Sequence, residues 1–329
     1  MSDGRDERVL LRRLAAGPVS GDVLAGELGL TRAAVWKRIE ALREAGLAIA
    51  ALPGRGYRLQ PPPDLLEADA IRAALPAAVR AELAALEVAW TLESTNTSLL
   101  QREAPARGCA VLLAERQTGG RGRRGRLWAS PLAAHVYLSL ARRFEGGLAR
   151  LGGLSLVAGV AAAEAVQALG FPQVRLKWPN DLVVAEGAGM RKLGGLLVEG
   201  GGEAGGAVRA VVGLGLNVRM PPAFAAAIDQ PWIDLAPLAP QPPARNAVVA
   251  QLLQHLLPAL AQFDAEGLAP FLPRYAALDA LAGRRVRLHE AAGTSAALAL
   301  GVAADGALRV RDEDGGERCV HAGEVSVRA

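Results

Sequence analysis

With 329 residues, 51% of them apolar, and a formal net charge of +4, the chain is too long for one ordinary domain; roughly two or three are expected. The modest positive charge permits a polyanionic partner without requiring one. Cys109 and Cys319 stand alone, and His135, His255, His289 and His321 share no ligand spacing, so neither a disulfide framework nor a zinc motif is indicated. The first residues are charged (Asp3, Arg5, Asp6, Glu7, Arg8) and contain no signal-peptide core. The longest apolar run, Leu154 to Leu169, carries Glu164 and is too short to cross a bilayer. A cytoplasmic protein with no membrane partner is expected.

Val9 to Leu14 reads as a first helix, ended by Gly17-Pro18. Asp22 is a candidate N-cap for a short helix, Val23 to Leu28, closed by Gly29. Thr31 caps the next, Arg32 to Glu44, in which Val35, Ile39 and Leu42 recur at helical spacing. Leu47 to Leu52, the turn Pro53-Gly54-Arg55-Gly56, and Tyr57-Arg58-Leu59 form a hairpin. Two helices with a glycine turn, followed by a hairpin, make a winged helix-turn-helix. Its second helix would enter a major groove, with Thr31, Arg32, Ala33 and Trp36 nearest the bases and Lys37 and Arg38 toward phosphates. Arg55 at the wing tip would reach the backbone. Ten basic against seven acidic residues over positions 1–60 is only a weak bias, so a protein-interaction module stays open beside DNA binding. Gln60-Pro61-Pro62-Pro63-Asp64 reads as a stiff linker.

Ile71 to Leu86 is a mixture of helix and loop. Val88 to Leu92 is a strand leading to Glu93-Ser94-Thr95-Asn96, where Thr95 or Asn96 could cap a short helix through Gln101. Ala110 to Glu115 is a buried strand that runs through Gln117-Thr118 into Gly120-Arg121-Gly122-Arg123-Arg124-Gly125-Arg126, four arginines and three glycines in seven residues. Glycines let backbone approach a ligand closely, and arginines present fixed forks to carboxylate and phosphate. The spacing satisfies a dinucleotide-binding pattern formally. Leu127-Trp128-Ala129-Ser130-Pro131, which follows, has no helical period, so that reading fails its structural condition. A solvated basic loop and an anion-binding loop remain. His135 to Leu140 is a strand and Leu154 to Leu169 a buried helix. In Lys177-Trp178-Pro179-Asn180-Asp181 a strand ends at a proline, and Lys177 and Asp181 are candidates for a phosphate and a metal contact, Asp suiting magnesium. Lys192 precedes Gly194-Gly195 and a strand, a place for a point charge beside phosphorus. Val211 to Val218 is a further strand containing Gly213, Gly215 and Asn217. Asn246 to Phe263 and Leu268 to Leu278 are helices. Short strands at Arg285–His289, Leu298–Val302, Leu308–Val310 and Val325–Val327 form a small terminal β-unit of roughly 48 residues.

Taken in order, Glu-Ser-Thr-Asn, Gln117 with the arginine loop, Lys-Trp-Pro-Asn-Asp, Arg-Lys-Leu-Gly-Gly and Gly-Leu-Gly-Leu-Asn, behind a winged helix, resemble the bacterial bifunctional biotin–protein ligases that double as biotin-operon repressors. Each motif is weak alone; in this order and over nearly the whole chain they are specific, and the solvated-loop reading recedes. The resemblance implies an α+β fold: a winged helix (1–60), a linker (61–68), a mixed α/β ligase domain of the biotin/lipoate ligase type (69–281) and an SH3-like β-barrel (282–329). It implies ATP, biotin and Mg2+, synthesis of biotinyl-5'-AMP, and transfer to a lysine of the biotin carboxyl carrier protein of acetyl-CoA carboxylase or a related carboxylase. Operator DNA and a ligand-promoted homodimer are further implied partners.

By the same resemblance Ser94, Thr95 and Gln117 hold the biotin head, with Asn96 in the same set. Gly120, Arg121 and Arg123 belong to a loop closing over biotin and its adenylate, with Arg126 and Trp128 beside it. Lys192 and Gly195 stand at the carboxylate and adenylate linkage, Asn217 on the adenylate side, Trp232 against the adenine, and Asp181 in the phosphate-and-metal region. Lys192, Arg123 and Asp181 are the expected catalytic residues. Two departures stand out. Glu186-Gly187-Ala188-Gly189 lengthens the segment before Lys192, and Pro221 to Asp229 is rich in Pro and Ala. A biotin-sensing DNA-binding regulator without transfer, and a ligase whose winged helix binds no operator, are the competing readings. A lipoate-type ligase is disfavoured by the arginine–glycine loop.

Overall fold

The computed structural model describes residues 4–145, 147–187, 189–202, 208–290, 293–321 and 326–328. The chain opens with α1 (Arg5–Ala16), α2 (Gly21–Leu28) and α3 (Arg32–Glu44), then the antiparallel hairpin β1 (Ile49–Leu52) and β2 (Gly56–Leu59). Thr31 caps α3 as expected, its hydroxyl accepting from Ala34 N at 3.2 Å. The cap of α2 is Ser20, whose Oγ accepts from Val23 N, rather than Asp22. Asp22 falls inside the first turn, where a carboxylate still opposes the positive helix end. Leu10, Leu11, Leu14, Leu24, Val35, Ile39, Leu42 and Leu59 close the core of this unit.

The central part contains α4 (Ala68–Ala73), α5 (Ala77–Ala81), β3 (Leu83–Leu92), α6 (Thr95–Leu100), β4 (Cys109–Gln117), β5 (Val136–Phe144), α7 (Leu154–Ala168), β6 (Val174–Lys177), β7 (Asp181–Glu186), β8 (Gly189–Gly202), β9 (Val208–Leu216), α8 (Pro222–Ala225), α9 (Arg245–Glu266) and α10 (Leu272–Leu278). Its strands form one seven-stranded sheet in the order β3-β4-β5-β9-β8-β7-β6. Among the described strand pairs of this sheet only β3 and β4 run parallel, joined through α6. β3 starts at Leu83 rather than Val88, because pairing with β4 overrides the helical preference of its alanines. The helix after Glu93 is capped by Ser94, not by Thr95 or Asn96. Glu186 pairs directly with Gly189, so the presumed longer loop closes β7 and β8 as a tight hairpin; Ala188 itself lies outside the described residues.

Side chains alternate across each strand. Val136, Leu138 and Leu140 of β5 and Val212, Leu214 and Leu216 of β9 point into the main core, against α7 and α9. Among the described residues the opposite face carries α6, a small cluster of Leu92, Leu99, Leu112, Ala114, Ala141 and Val211, and the Trp128 ring over Gly215. That face is therefore free to hold a cleft.

A five-stranded antiparallel sheet ends the chain: β10 (Arg285–Glu290), β11 (Gly293–Val302), β12 (Leu308–Asp312), β13 (Glu317–Val320) and β14 (Ser326–Arg328), ordered β13-β12-β11-β10-β14. The strand β13 had no clear apolar signal in the sequence, and Val325 lies outside the described residues. Val286, Leu288, Leu308 and Val310 join the central core, and Trp178 Nε1 donates to Gly306 O at 3.0 Å.

The segment after Gln60 is pinned rather than free along its second half. Arg245 and Glu115, both nearly fully buried, pair at 2.8 Å. Arg245 also donates to Asp64 O and twice to His135 O, while Glu115 accepts from Leu66 N. Among the described residues no helix is long and apolar enough to cross a membrane.

Candidate active site

The open face of the central sheet holds a cleft. Its floor is the middle of β5 and β9, and two glycines decide its depth. A Cβ on Gly213 would lie 2.2 Å from Asn96 Oδ1, and one on Gly215 would lie 2.5 Å from the Trp128 ring. The Gly-Leu-Gly spacing thus places two bare backbone positions on one face, over which Asn96 and Trp128 lie flat, while Leu214 between them faces the core.

One wall is the N-terminus of α6 with the end of β4. Ser94, Thr95 and Asn96 are all buried, and Thr95 N donates to Gln117 Oε1 at 2.8 Å. This wall offers uncharged donors and acceptors, suited to a neutral polar head. The other wall comes from β7 and β8. Residues 192 and 195 are three apart and would face opposite sides of a regular strand. A register shift between Leu182 and Val183 of β7 leaves Leu193 bulged and buried, and so both Lys192 and Gly195 line the cleft. Lys192 Nζ lies 2.7 Å from Asp181 Oδ1 and 5.5 Å from the Trp128 ring centre. The Lys192 backbone is held too, its N–H by Pro231 O and its C=O by Ile233 N.

The arginine-rich segment arches over the cleft. Arg121 pairs with Leu127 across it, Gly122 N donates to Arg126 O at 2.7 Å, and Trp128 N to Gly120 O at 2.9 Å. At its tip Arg124 takes φ 58° and Gly125 φ 69°. The left-handed region is ordinary for glycine and strained for arginine by about 1–2 kcal/mol, so the tip is held by its surroundings. Arg123 reaches down to Asn180 Oδ1 at 3.3 Å. Asn180 is itself fixed, donating from Nδ2 to Leu196 O and accepting at its own carbonyl from Leu196 N. Burial, and then the neighbouring Arg124 charge, push the Arg123 guanidinium below its usual pKa. A concentration of cations this close favours an anion between them. Trp128 Nε1 is buried at the same place, over Gly215, without a hydrogen-bond partner among the described residues.

The structure thus brings together Ser94, Thr95, Asn96, Gln117, Arg121, Arg123, Arg126, Trp128, Asp181, Lys192 and Gly195 around one cleft, with Lys177 beside them. It does not bring Gly120, Asn217 or Trp232 to the cleft wall. Gly120 leaves room for Ser130 Oγ and Gln117 Nε2, each within 3 Å of where its Cβ would be. Asn217 lies behind the wall, its Nδ2 donating to Ile233 O at 3.0 Å, and Trp232 meets Lys192 through backbone. Sequence reasoning missed Tyr137 and Trp178 in the lining, and Ser139 beneath it. A lone serine amid the apolar run of β5 was the available signal for Ser139.

Among the described residues no cluster of three metal-ligating side chains exists. Asp181 has a lysine as its close partner, so the protein groups do not form a magnesium cage.

On the winged helix Thr31, Arg32, Ala33, Trp36, Lys37 and Arg55 are exposed, Trp36 by 52%. Arg38 is turned back, both its terminal nitrogens donating to Asp6 Oδ2 at 3.1 Å.

A mixed sheet whose open face holds a cation-arched cleft, joined to a winged helix and a small β-unit, is built to take a ligand bearing carboxylate or phosphate groups. The biotin/lipoate A/B protein ligase family model matches residues 88–217, an HTH domain model residues 6–58, and the biotin protein ligase C-terminal domain model residues 282–328. The chain is 39% identical over 330 residues to the bifunctional ligase/repressor BirA of Salmonella typhimurium, covering 100% of this chain and 99% of that one. It is 38% identical, with the same coverage, to the Escherichia coli bifunctional ligase/repressor BirA. The chain therefore belongs to the family of bifunctional biotin ligase/repressors. A solved biotin protein ligase from Aquifex aeolicus, in complex with biotin and ATP, aligns with TM-score 0.62 and 25% identity over 74% of this chain and 99% of that chain.

Proposed function

We propose that this protein joins biotin to ATP as biotinyl-5'-AMP, transfers the biotinyl group to a lysine of a carrier protein, and represses transcription through its winged helix. The observation that carries the ligase half is the juxtaposition of an uncharged polar slot (Ser94, Thr95, Gln117) with Lys192 and the arginine arch. The slot takes the neutral biotin head, and the cations take the biotin carboxylate and the phosphates.

A carboxylate is a poor acylating agent. Its oxygen attacks the α-phosphorus of ATP, the bond to the β-phosphate oxygen breaks, and pyrophosphate leaves. In the second step a lysine amine attacks the acyl carbon, the mixed anhydride breaks, and AMP leaves. Negative charge develops on the phosphoryl oxygens in the first step, and fixed cations stabilise it electrostatically. Lys192 moves from Asp181 toward that charge, with Trp128 and the backbone grip at Pro231 and Ile233 limiting its reach. Arg121, Arg123 and Arg126 hold the anhydride and keep water from it. Asp181, a carboxylate lining the cleft, would hold magnesium brought with the ATP phosphates, and that ion would neutralise phosphate charge. Asn217 and Trp232 act by supporting the Lys192 segment, with adenine stacking by Trp232 following movement of the loop that carries it.

The carrier is read as that of acetyl-CoA carboxylase, since a Paracoccus denitrificans relative, 32% identical over 240 residues and 71% of this chain, is a biotin–[acetyl-CoA-carboxylase] ligase. Operator binding, a ligand-promoted homodimer, a cytoplasmic setting and divisions near residues 60, 68 and 281 complete the proposal. The test is to incubate the purified chain with biotin, ATP and magnesium and weigh it under native conditions. Bound biotinyl-5'-AMP supports the ligase. Biotin bound alone favours a sensor without transfer.

A further inference from the structure

Beneath the polar slot runs a chain of hydrogen bonds that ends on a residue outside every motif. Ser139, fully buried on β5 opposite Gly213, has its Oγ 2.6 Å from Asn96 Oδ1 and 2.7 Å from Thr95 Oγ1. Asn96 Nδ2 donates to Leu197 O at 3.1 Å and to Glu199 Oε2 at 2.8 Å. Both of those partners only accept, so the Asn96 amide is oriented without ambiguity and its Oδ1 faces Ser139. The one hydroxyl hydrogen of Ser139 then goes to Asn96, and the Thr95 hydroxyl has two acceptors within reach, Ser139 Oγ at 2.7 Å and Gln117 Oε1 at 3.1 Å. Gln117 Oε1 also accepts from Thr95 N at 2.8 Å. The orientation of the Asn96 amide is set by two acceptors, Leu197 O and the Glu199 carboxylate, of which Glu199 is the closer.

The other Glu199 oxygen faces the arch. Its Oε1 lies 3.8 Å from Arg121 Nη2, which also donates to Thr97 Oγ1 at 2.9 Å. Glu199 is on β8, two strand steps beyond Leu197 and four beyond Gly195, so the period of two brings all three to the cleft face. Both side chains are partly exposed, Arg121 by 44% and Glu199 by 30%. A long, half-solvated pair of this kind biases a loop without locking it.

We propose that Glu199 is a positioning residue of this site: one carboxylate oxygen orients Asn96 and through it the slot, and the other holds Arg121 of the arch. The slot and its closure are thereby tied through one side chain. The inference rests on the slot being the biotin site. Asn96, Ser139 and Thr95 are held by one another and by Glu199, so binding does not have to arrange them.

The test uses the full chain and two variants, Glu199→Gln and Glu199→Ala. It reads the KM for biotin, the KM for ATP, kcat, the release rate of preformed biotinyl-5'-AMP, and the melting temperature. Glutamine keeps an acceptor for Asn96 and loses the charge facing Arg121; alanine loses both. Glu199→Ala is expected to raise the KM for biotin about tenfold with the KM for ATP nearly unchanged, and to speed adenylate release by a similar factor. Glu199→Gln is expected to restore the biotin KM to near wild type while release stays fast. Wild-type values in both variants overturn the proposal. So does a parallel loss in both KM values with a lowered melting temperature, which marks a merely structural residue. Failure of the unaltered protein to form the adenylate sinks the ligase reading itself, and is distinct from either result.

Discussion

Lys192 sits in a strand, not in the loop before one, and a bulge aims it. Its partner Asp181 lies 2.7 Å away, and in the proposed mechanism gives up the ammonium when phosphate competes for it. Lys192→Ala is expected to slow adenylate formation by at least about tenfold, equivalent to about 1.4 kcal/mol of transition-state stabilisation. Single-turnover rates equal to the wild type would remove Lys192 from the chemistry. Arg123 donates to Asn180 Oδ1, and in the proposed mechanism that contact keeps the arch closed. Arg123→Gly frees the arch, and the adenylate is expected to escape and label lysines of a bystander protein such as serum albumin. Bystander labelling no greater than with the unaltered protein would refute that role. Both residues were visible in the sequence as members of motifs. Ser139 and Glu199 were not, because a serine in a strand and a glutamate at a strand end have many uses, and only packing selects one.

At the scale of elements, a buried polar cluster joins the segment after Gln60, the sheet and α9. His135 sits at its centre, fully buried, its Nδ1 accepting from Val218 N at 3.0 Å. Burial, reinforced by the Arg245 charge, drives its pKa from 6.5 down to about 3. The unfolded chain takes up this proton near 6.5 and the folded chain only near 3. Between those values the unfolded state binds more protons, so stability is retained above the upper limit and lost as pH falls through the window. One such group contributes a slope of about 1.4 kcal/mol per pH unit. His135→Asn keeps an acceptor for Val218 N, and is expected to flatten the dependence of urea-unfolding stability on pH between 4 and 6 by up to that amount. Equal slopes in the two proteins would show that the imidazole is not protonated on unfolding in this range. Helix and strand periods located most of these elements. They did not show that the proline-rich segment becomes anchored at Leu66, since a linker and a docked strap have the same composition.

Across the whole molecule, the winged helix is seated on the catalytic body. Trp90 of β3 and Leu132, just beyond the arch, lie in the winged-helix core, and Leu132 N donates to Ala45 O at 2.7 Å. A Cβ on Gly46 would lie 3.1 Å from Pro131 and 3.2 Å from Phe224, so two segments that border the cleft reach the end of α3. The basic residues of the winged helix are unequal. Lys37 is exposed, whereas Arg38 is already neutralised by Asp6. In a titration of duplex operator DNA against salt, Lys37→Ala is expected to reduce the slope of log K on log salt by about 0.9. Arg38→Ala is expected to change it less. The reverse order would mean that Arg38 leaves Asp6 to meet phosphate.

The sequence by itself determined the order of elements, the winged helix and the identity of most cleft residues. Those properties are local, carried by periodicity, caps and short motifs with fixed spacing. Tertiary structure alone decided that Asn217 and Trp232 stand behind the cleft wall, that the terminal sheet shares the central core, and that Glu199 links slot to arch. Each of these depends on which strands and loops lie beside which, and neighbours separated by about a hundred residues leave no period to read.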